Sequence, residues 1–382
     1  MLCGNVSIGR VTHAARSPDR RVRIDRFASA CPEQHKGCLV NHDDDRPNRR
    51  PTVDKVAELA GVGRATVSRV INGASNVSPA TKAAVERAIE ELGYSPNQAA
   101  RSLVTRQTNT VALVVSEPED RIWDEPYFPR VIRGISAALN ETGYQMMLTI
   151  TRTAADQRRL EAYLTGRHVD GVLLISLHGN DPLPARLEEH GVPTVLGGAP
   201  VGVTPVACVD ADNQGGARAA VEHLLERGRT RVATIAGPQD MRVGVDRLTG
   251  YRAALEDAGV RVPKKMITYG DFSAASGLPA MRQLLRAVPD VDAVFAASDP
   301  MAIGAMRALR EAGKRVPQDV AVVGFDDSLA ALHTDPPLTT VHQPVEAMGK
   351  AMAQVLVQRI RGEEVPVRLM VLDTDLVVRE SS

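Results

Sequence analysis

From Val53 onward the chain repeats apolar residues at helical spacing. Val53, Val56, Ala57 and Ala60 share one face, Asp54 and Glu58 lie on the other, and Thr52 is placed to cap the first turn. Gly61 predicts the end of that helix. A second helix is predicted over 64–72, with Val67, Val70 and Ile71 inward and Gly73 as its stop. A third opens at Ser78 with Pro79 in its first turn, buries Val85, Ala88, Ile89 and Leu92, and stops at Gly93. Three short helices joined by glycine-bearing turns predict an all-α helix-turn-helix headpiece over residues 51–96. Ser95 and Pro96 then break the chain. Residues 97–107 read as a linker with one or two helical turns, capped by Asn97, that are too short to stand alone.

After Thr108 the rhythm changes to short β-rich runs alternating with amphipathic helices. Strands are predicted over 111–115, 146–150, 169–175, 194–196, 231–236, 291–296 and 320–324, and helices over 128–140, 214–227, 246–258, 274–286 and 301–311. Continuous apolar strands alternating with helices imply parallel sheets covered on both faces. So many units predict an α/β core of two doubly wound lobes with a cleft between them, spanning 108–382. Residues 1–50 show neither period, and are expected to be either a disordered extension, which could act as a basic arm, or a start assigned too far upstream.

The net charge of zero hides an uneven distribution. Residues 1–50 carry an excess of four basic residues, 51–106 an excess of two, and 107–382 an excess of six acidic ones. A basic front on an acidic body suits a protein that meets phosphate at one end. Cys3, Cys31, Cys38 and Cys208 form no disulfide framework, and the spacing of Cys31 and Cys38 with His35 and His42 departs from metal-ligand motifs. Without a membrane-length apolar run or a secretory apolar core near residue 1, a cytoplasmic protein is expected.

The run from Thr52 to Asn72 closely resembles the headpiece of the lactose-repressor (LacI/GalR) family of bacterial transcriptional regulators. Val77 to Lys82 and Leu92 to Asn97 resemble that family's third helix and its approach to the hinge. Val323 to Asp327, Pro336 to Val341, and Gln343 with Pro344 resemble signatures of its periplasmic-binding-protein-like ligand core. The resemblance spans 51–382, and the ordered set of motifs is far more specific than a lone helix-turn-helix. It implies a ligand-responsive repressor that grips a near-palindromic operator as a homodimer, with pairing into tetramers left open. By matching positions, Arg64, Ala65 and Arg69 should contact bases, while Thr66, Ser68 and Asn72 hold phosphates or the helix. Asn97, Ala100 and Leu103 match the hinge helix, with Leu103 as a minor-groove wedge. Gly63 departs from the family's usual Ser or Thr cap, at a cost of only a few tenths of a kcal/mol, roughly.

In the core, the resemblance points Arg247 into the cleft with Asp299 as its partner carboxylate, and places Phe128 and Phe272 where aromatics line the pocket. A guanidinium fork beside a carboxylate suits a polyhydroxyl or heterocyclic ligand, and the resemblance to the family implies a sugar first and a nucleobase or nucleoside second. Trp123 falls in a long loop over 117–126, as part of a lid or simply exposed. Asp326 and Asp327 invite a catalytic reading, but no nucleophile with a base, metal triad or phosphate loop accompanies them, so neither an enzyme nor a cofactor is expected. An extracytoplasmic sugar-binding protein would share the core but not the headpiece. The implied mechanism is a two-state linkage in which ligand changes the lobe angle, and thereby releases or recruits the DNA-binding segments.

Overall fold

A computed structural model describes residues 51–71, 73–74, 76–95, 107–151, 153–198, 206–365 and 369–382. The chain forms two compact units that divide between Ser95 and Pro96. Residues 1–50, and with them three of the cysteines, lie outside the described residues, as do Asn72, Asn97, Ala100 and Leu103.

In the first unit the expected helices form over Val53–Leu59 (α1), Arg64–Ile71 (α2) and Pro79–Leu92 (α3). Ser78 caps α3 by accepting the Thr81 N–H at 3.2 Å, and Gly93 ends it in the left-handed region at φ 58°. Thr52 sits at the N-cap of α1 with an extended backbone, but its side chain makes no capping bond, contrary to expectation. At α2 the Gly63 carbonyl accepts from Thr66 and Val67 at 2.8 and 3.2 Å, so backbone hydrogen bonds hold the start of this helix. Val56, Val67 and Val85, one from each helix, are fully buried against one another with Ala57 and Ala88.

The second unit holds two six-stranded sheets wound alike. The first lobe contains β1 (Thr110–Val115), α4 (Glu119–Asp124), α5 (Tyr127–Asn140), β2 (Gln145–Ile150), α6 (Ala154–Thr165), β3 (Gly171–Ile175), α7 (Leu183–Glu189), β4 (Thr194–Gly197) and β5 (Cys208–Ala211). The second contains α8 (Asn213–Glu226), β6 (Val232–Ala236), α9 (Arg242–Asp257), β7 (Ile267–Tyr269), α10 (Ala274–Ala287), β8 (Ala293–Ala296), α11 (Asp299–Glu311), β9 (Ala321–Asp326), α12 (Leu329–Leu332) and β10 (Thr339–His342). The chain returns to the first lobe for α13 (Val345–Ile360) and β11 (Leu369–Leu372), then ends in the second with β12 (Asp375–Val377).

Strand orders are β11-β5-β4-β3-β1-β2 and β12-β10-β9-β8-β6-β7. Every described pairing is parallel except β10 with β12, an antiparallel edge that the expectation of purely parallel sheets did not include. The central strands β1, β3 and β6 are buried along nearly their whole length, the signature of a sheet covered on both faces. One device starts both lobes. The Asp170 carboxylate, just before β3, accepts from the Thr108 and Asn109 amides at 2.7 Å, and Asp292, just before β8, accepts from those of Thr230 and Arg231 at 2.9 Å. The lobes are joined by three crossovers, after β5, β10 and β11, so all three leave from the same side of each sheet. The expected loop over 117–126 contains α4, with Trp123 exposed on it.

Within the first lobe, α5 and α13 approach closely enough that a Cβ on Gly134 would lie 2.0 Å from the Glu346 carbonyl oxygen, and one on Gly349 2.3 Å from that of Val131. Backbone rather than a flexible side chain would have to yield. Gly134→Ala is therefore expected to destabilise the core by about 1–3 kcal/mol or more, read as a lowered denaturant midpoint; an unchanged midpoint would contradict this packing.

Candidate functional site

The C-terminal ends of the strands of both lobes face one cleft, where ligands of doubly wound sheets bind. It comprises about 810 Å³ of space, part of it open to solvent. Polar groups come from Glu125, Ser176, Asp210, Arg242, Arg247, Asp326 and Gln343, and apolar surface from Tyr127, Phe128, Met241, Phe272 and Met348.

Arg247 is the hub. It lies in the second turn of α9, a helix that starts four residues earlier than the periodicity indicates, and it is 3% exposed. Its Nε donates to Asn213 Oδ1 at 2.9 Å, one terminal nitrogen to the Ala297 carbonyl at 2.6 Å and Asp326 Oδ1 at 3.1 Å, and the other to Gln343 Oε1 at 3.1 Å. The guanidinium lies 3.6 Å from the centroid of the buried Phe325 ring and 5.8 Å from that of Phe272. A desolvated guanidinium persists only when most of its donors are paired in this way.

The partner carboxylate differs from the expected one. Asp299 opens α11 but is fully buried, accepting from the Ser328 N–H at 2.7 Å and the Thr340 hydroxyl at 2.5 Å. Asp326, part of the family signature over 323–327 and not expected in the ligand site, faces the cleft and pairs with Arg247. Burial pushes both acids up. Arg247 opposes the shift on Asp326, while Asp299 is pushed up to about 7 by burial and by the neighbouring Asp326 charge. Asp327 turns away, held by Arg379 at 2.5 Å and His342 at 3.0 Å.

Phe128 is almost fully buried at the start of α5, edge-on to Tyr127 at 5.3 Å, and serves the core and the cleft wall at once. Phe272 is half-buried, with φ at 74°, and its carbonyl accepts from Ser298 Oγ at 2.9 Å. Ser176 and Asp326 also line the cleft at positive φ, 59° and 110°. Strained non-glycine backbone gathered at one cavity marks a site whose geometry the surrounding structure over-determines. The sequence reading missed Asp210, Asn213 and Glu125. The acid-and-amide run from Asp210 to Asn213, following an apolar strand, was the available signal for the first two.

On the headpiece, Arg64, Ala65, Ser68 and Arg69 are exposed along α2, and Thr66 is half-buried. Arg64 lies 3.7 Å from Asp54 on α1, an exposed pair too weak to tie down the side chain. The spacing of positions 64, 65, 68 and 69 puts four residues of the expected DNA-contact set on one open helical face.

Residues 52–97 match the pattern of bacterial regulatory proteins of the lacI family, and residues 221–382 match that of the periplasmic binding protein-like domain. The chain is 58% identical over 336 residues to the HTH-type transcriptional regulator CelR of Thermobifida fusca, covering 87% of this chain and 98% of that protein. Among solved structures, a complex of the transcriptional regulator CelR with cellobiose is similar with a TM-score of 0.71 at 55% identity, over 87% of this chain and 100% of that one. The lac repressor dimer bound to operator and the anti-inducer ONPF is similar with a TM-score of 0.78 at 29% identity, over 87% of this chain and 99% of that one.

The raised value of Asp299 has a measurable consequence. Because its value is raised from 3.8 to about 7, the stability contributed by its protonated form is complete below about pH 3.8 and lost as pH rises towards 7. Asp299→Asn removes this component, so its stability is expected to gain on that of the unaltered protein as pH is raised from 5 to 8. Parallel stability curves in denaturant titrations across that range would contradict the assignment.

Proposed function

The chain belongs to the lacI family of bacterial regulatory proteins, and from that premise we propose that it is a ligand-responsive transcriptional repressor, acting as a homodimer on a near-palindromic operator, whose effector is cellobiose or a close relative. The observation that carries the effector reading is the cleft itself. Carboxylates, an amide and an arginine converge beside the Phe272 ring, a combination that hydrogen-bonds hydroxyl groups while packing against the apolar face of a sugar. The 55% identity to the cellobiose-bound regulator favours a sugar over a nucleobase. The family's regulators act by binding, and the proposed role requires no catalysis. Among the described residues, no helix is long and apolar enough to cross a membrane.

On this reading, residues 51–96 form the DNA-binding domain, 97–107 the hinge and linker, and 108–382 the effector-binding and dimerisation domain. Arg64, Ala65 and Arg69 read bases, with Thr52, Thr66 and Ser68 on phosphates or the helix, and Asn72, Asn97, Ala100 and Leu103 complete the contact. Arg247 and Asp326 bind effector hydroxyls at the inner end of the cleft, flanked by Phe128 and Phe272. Asp299 acts behind them by fixing the turn that carries Asp326.

Two measurements test this. Selection of random duplexes with the full chain should return an inverted repeat, and Arg64→Ala should lose about 1–3 kcal/mol of discrimination at one symmetric pair of positions, the size of a bidentate guanine contact. Retained preference at every position would refute the role given to Arg64. Cellobiose at a hundred times its Kd should stabilise the protein by roughly 2.7 kcal/mol, and Asp326→Asn should abolish most of that gain; equal stabilisation by nucleosides, or none by cellobiose, would overturn the effector reading.

A further inference from the structure

The three crossovers tie the lobes together on one side of the cleft. On the other side, the loops after β1 and β3 meet those after β6 and β7 in a network that borders the ligand site and shares Ser176 and Glu125 with its lining. Glu117, 3% exposed, accepts at Oε1 from the Ser176 hydroxyl at 2.5 Å and from His178 Nε2 at 2.9 Å. His178 Nδ1 reaches Asp240 Oδ2 of the other lobe at 2.9 Å, and the Gly179 N–H donates to the Asp240 carbonyl at 2.8 Å. Arg121 on α4 donates to Glu117 Oε2 at 3.1 Å and Glu125 Oε1 at 2.6 Å, then crosses to the Asp271 carbonyl at 2.5 Å, beside the strained Phe272.

We propose that Glu117, Arg121, His178 and Asp240 form a clasp across the mouth of the cleft, and that closing it takes up one proton from solvent onto His178. A neutral imidazole carries a single N–H, whereas both ring nitrogens here face carboxylate oxygens that can only accept. Both bonds therefore form together only with the imidazolium, Nε2–H to Glu117 and Nδ1–H to Asp240. The charged groups around the ring are Glu117 from the first lobe and Asp240 from the second, with Arg121 on the far oxygen of Glu117. Hydrogen bonding to Glu117 first, and to Asp240 against the opposing effect of burial, holds His178 above the ordinary imidazole value. Burial raises Glu117, but His178, Ser176 and Arg121 together keep it below the ordinary value, so it stays charged. The closed clasp is thus fully favoured below about pH 6.5 and lost as pH rises through the higher value of the closed state. Because Arg121 also orients Glu125 and the Phe272 loop, opening the clasp loosens two walls of the effector site.

Hydrogen exchange on the full chain without ligand reads the clasp at the Gly179 amide, whose acceptor is on the opposite lobe. The chain's single tryptophan, Trp123 on α4, gives a second signal in its emission. After correction for intrinsic exchange, Gly179 protection should fall by up to about tenfold per pH unit between pH 6.5 and 8, with a matching change in Trp123 emission. His178→Gln and Asp240→Asn should each lose that dependence while keeping the far-ultraviolet spectrum of the fold. Protection independent of pH in the unaltered protein, or a dependence that survives both substitutions, would overturn the proposal. A parallel arm rests on the effector reading above: the cellobiose Kd should tighten from pH 8 to 6.5 in the unaltered protein and stay constant in His178→Gln. Should cellobiose fail to bind at any pH, the effector reading fails alone and the ligand-free arm still decides the clasp.

Discussion

Burying a guanidinium between two lobes is the constraint around which this molecule is organised. Arg247 gives up its water, so its donors must find protein acceptors, and these come from the start of α8 and the ends of β8, β9 and β10. Two of the acceptors, Asn213 and Gln343, sit at crossovers between the lobes, and a third, Asp326, lines the cleft. A hydroxyl-bearing ligand that engages Asp326 or Gln343 acts directly on the groups that set how the lobes are joined. The site and the hinge are one hydrogen-bonded network, which gives binding a physical route to a change in lobe angle.

The cleft is asymmetric along its length. At the crossover end the chain itself limits motion, and Arg130 adds a bond of 3.1 Å from α5 to the Asp326 carbonyl of the other lobe. At the mouth the proposed clasp relies on side chains and one backbone bond, with Asp240 largely exposed. Closure at the mouth then turns on these few bonds, and on the proposal proton uptake at one histidine biases it. The residues with strained φ, Ser176, Phe272 and Asp326, line the same cleft from both lobes, where an over-determined backbone fixes its geometry.

Much of the fold was legible because the periods were clean. The headpiece helices follow the placement of Gly61, Ser78, Pro79 and Gly93, and the buried strands β1, β3, β6, β8 and β9 read as largely apolar runs. What escaped were short or atypical elements. The strand β5 opens at Cys208 and contains Asp210, β7 has three residues, β11 and β12 sit at exposed edges, and α13, although amphipathic, was passed over after the family signature at Gln343. The site was half legible. Arg247 and Phe272 were found by likeness, whereas the roles of Asp299 and Asp326 depend on which of two nearby carboxylates the fold turns towards Arg247. No local pattern encodes that choice; it follows from Ser328 and Thr340 claiming Asp299 from behind.

The central claim is that effector and operator bias one two-state protein, and linkage makes this testable in both directions. The decisive measurement is a closed thermodynamic cycle: operator affinity with and without saturating cellobiose, and cellobiose affinity with and without saturating operator. The account predicts the same coupling factor, different from one, along both sides of the cycle. Cellobiose binding with equal affinity to free and operator-bound protein would contradict it.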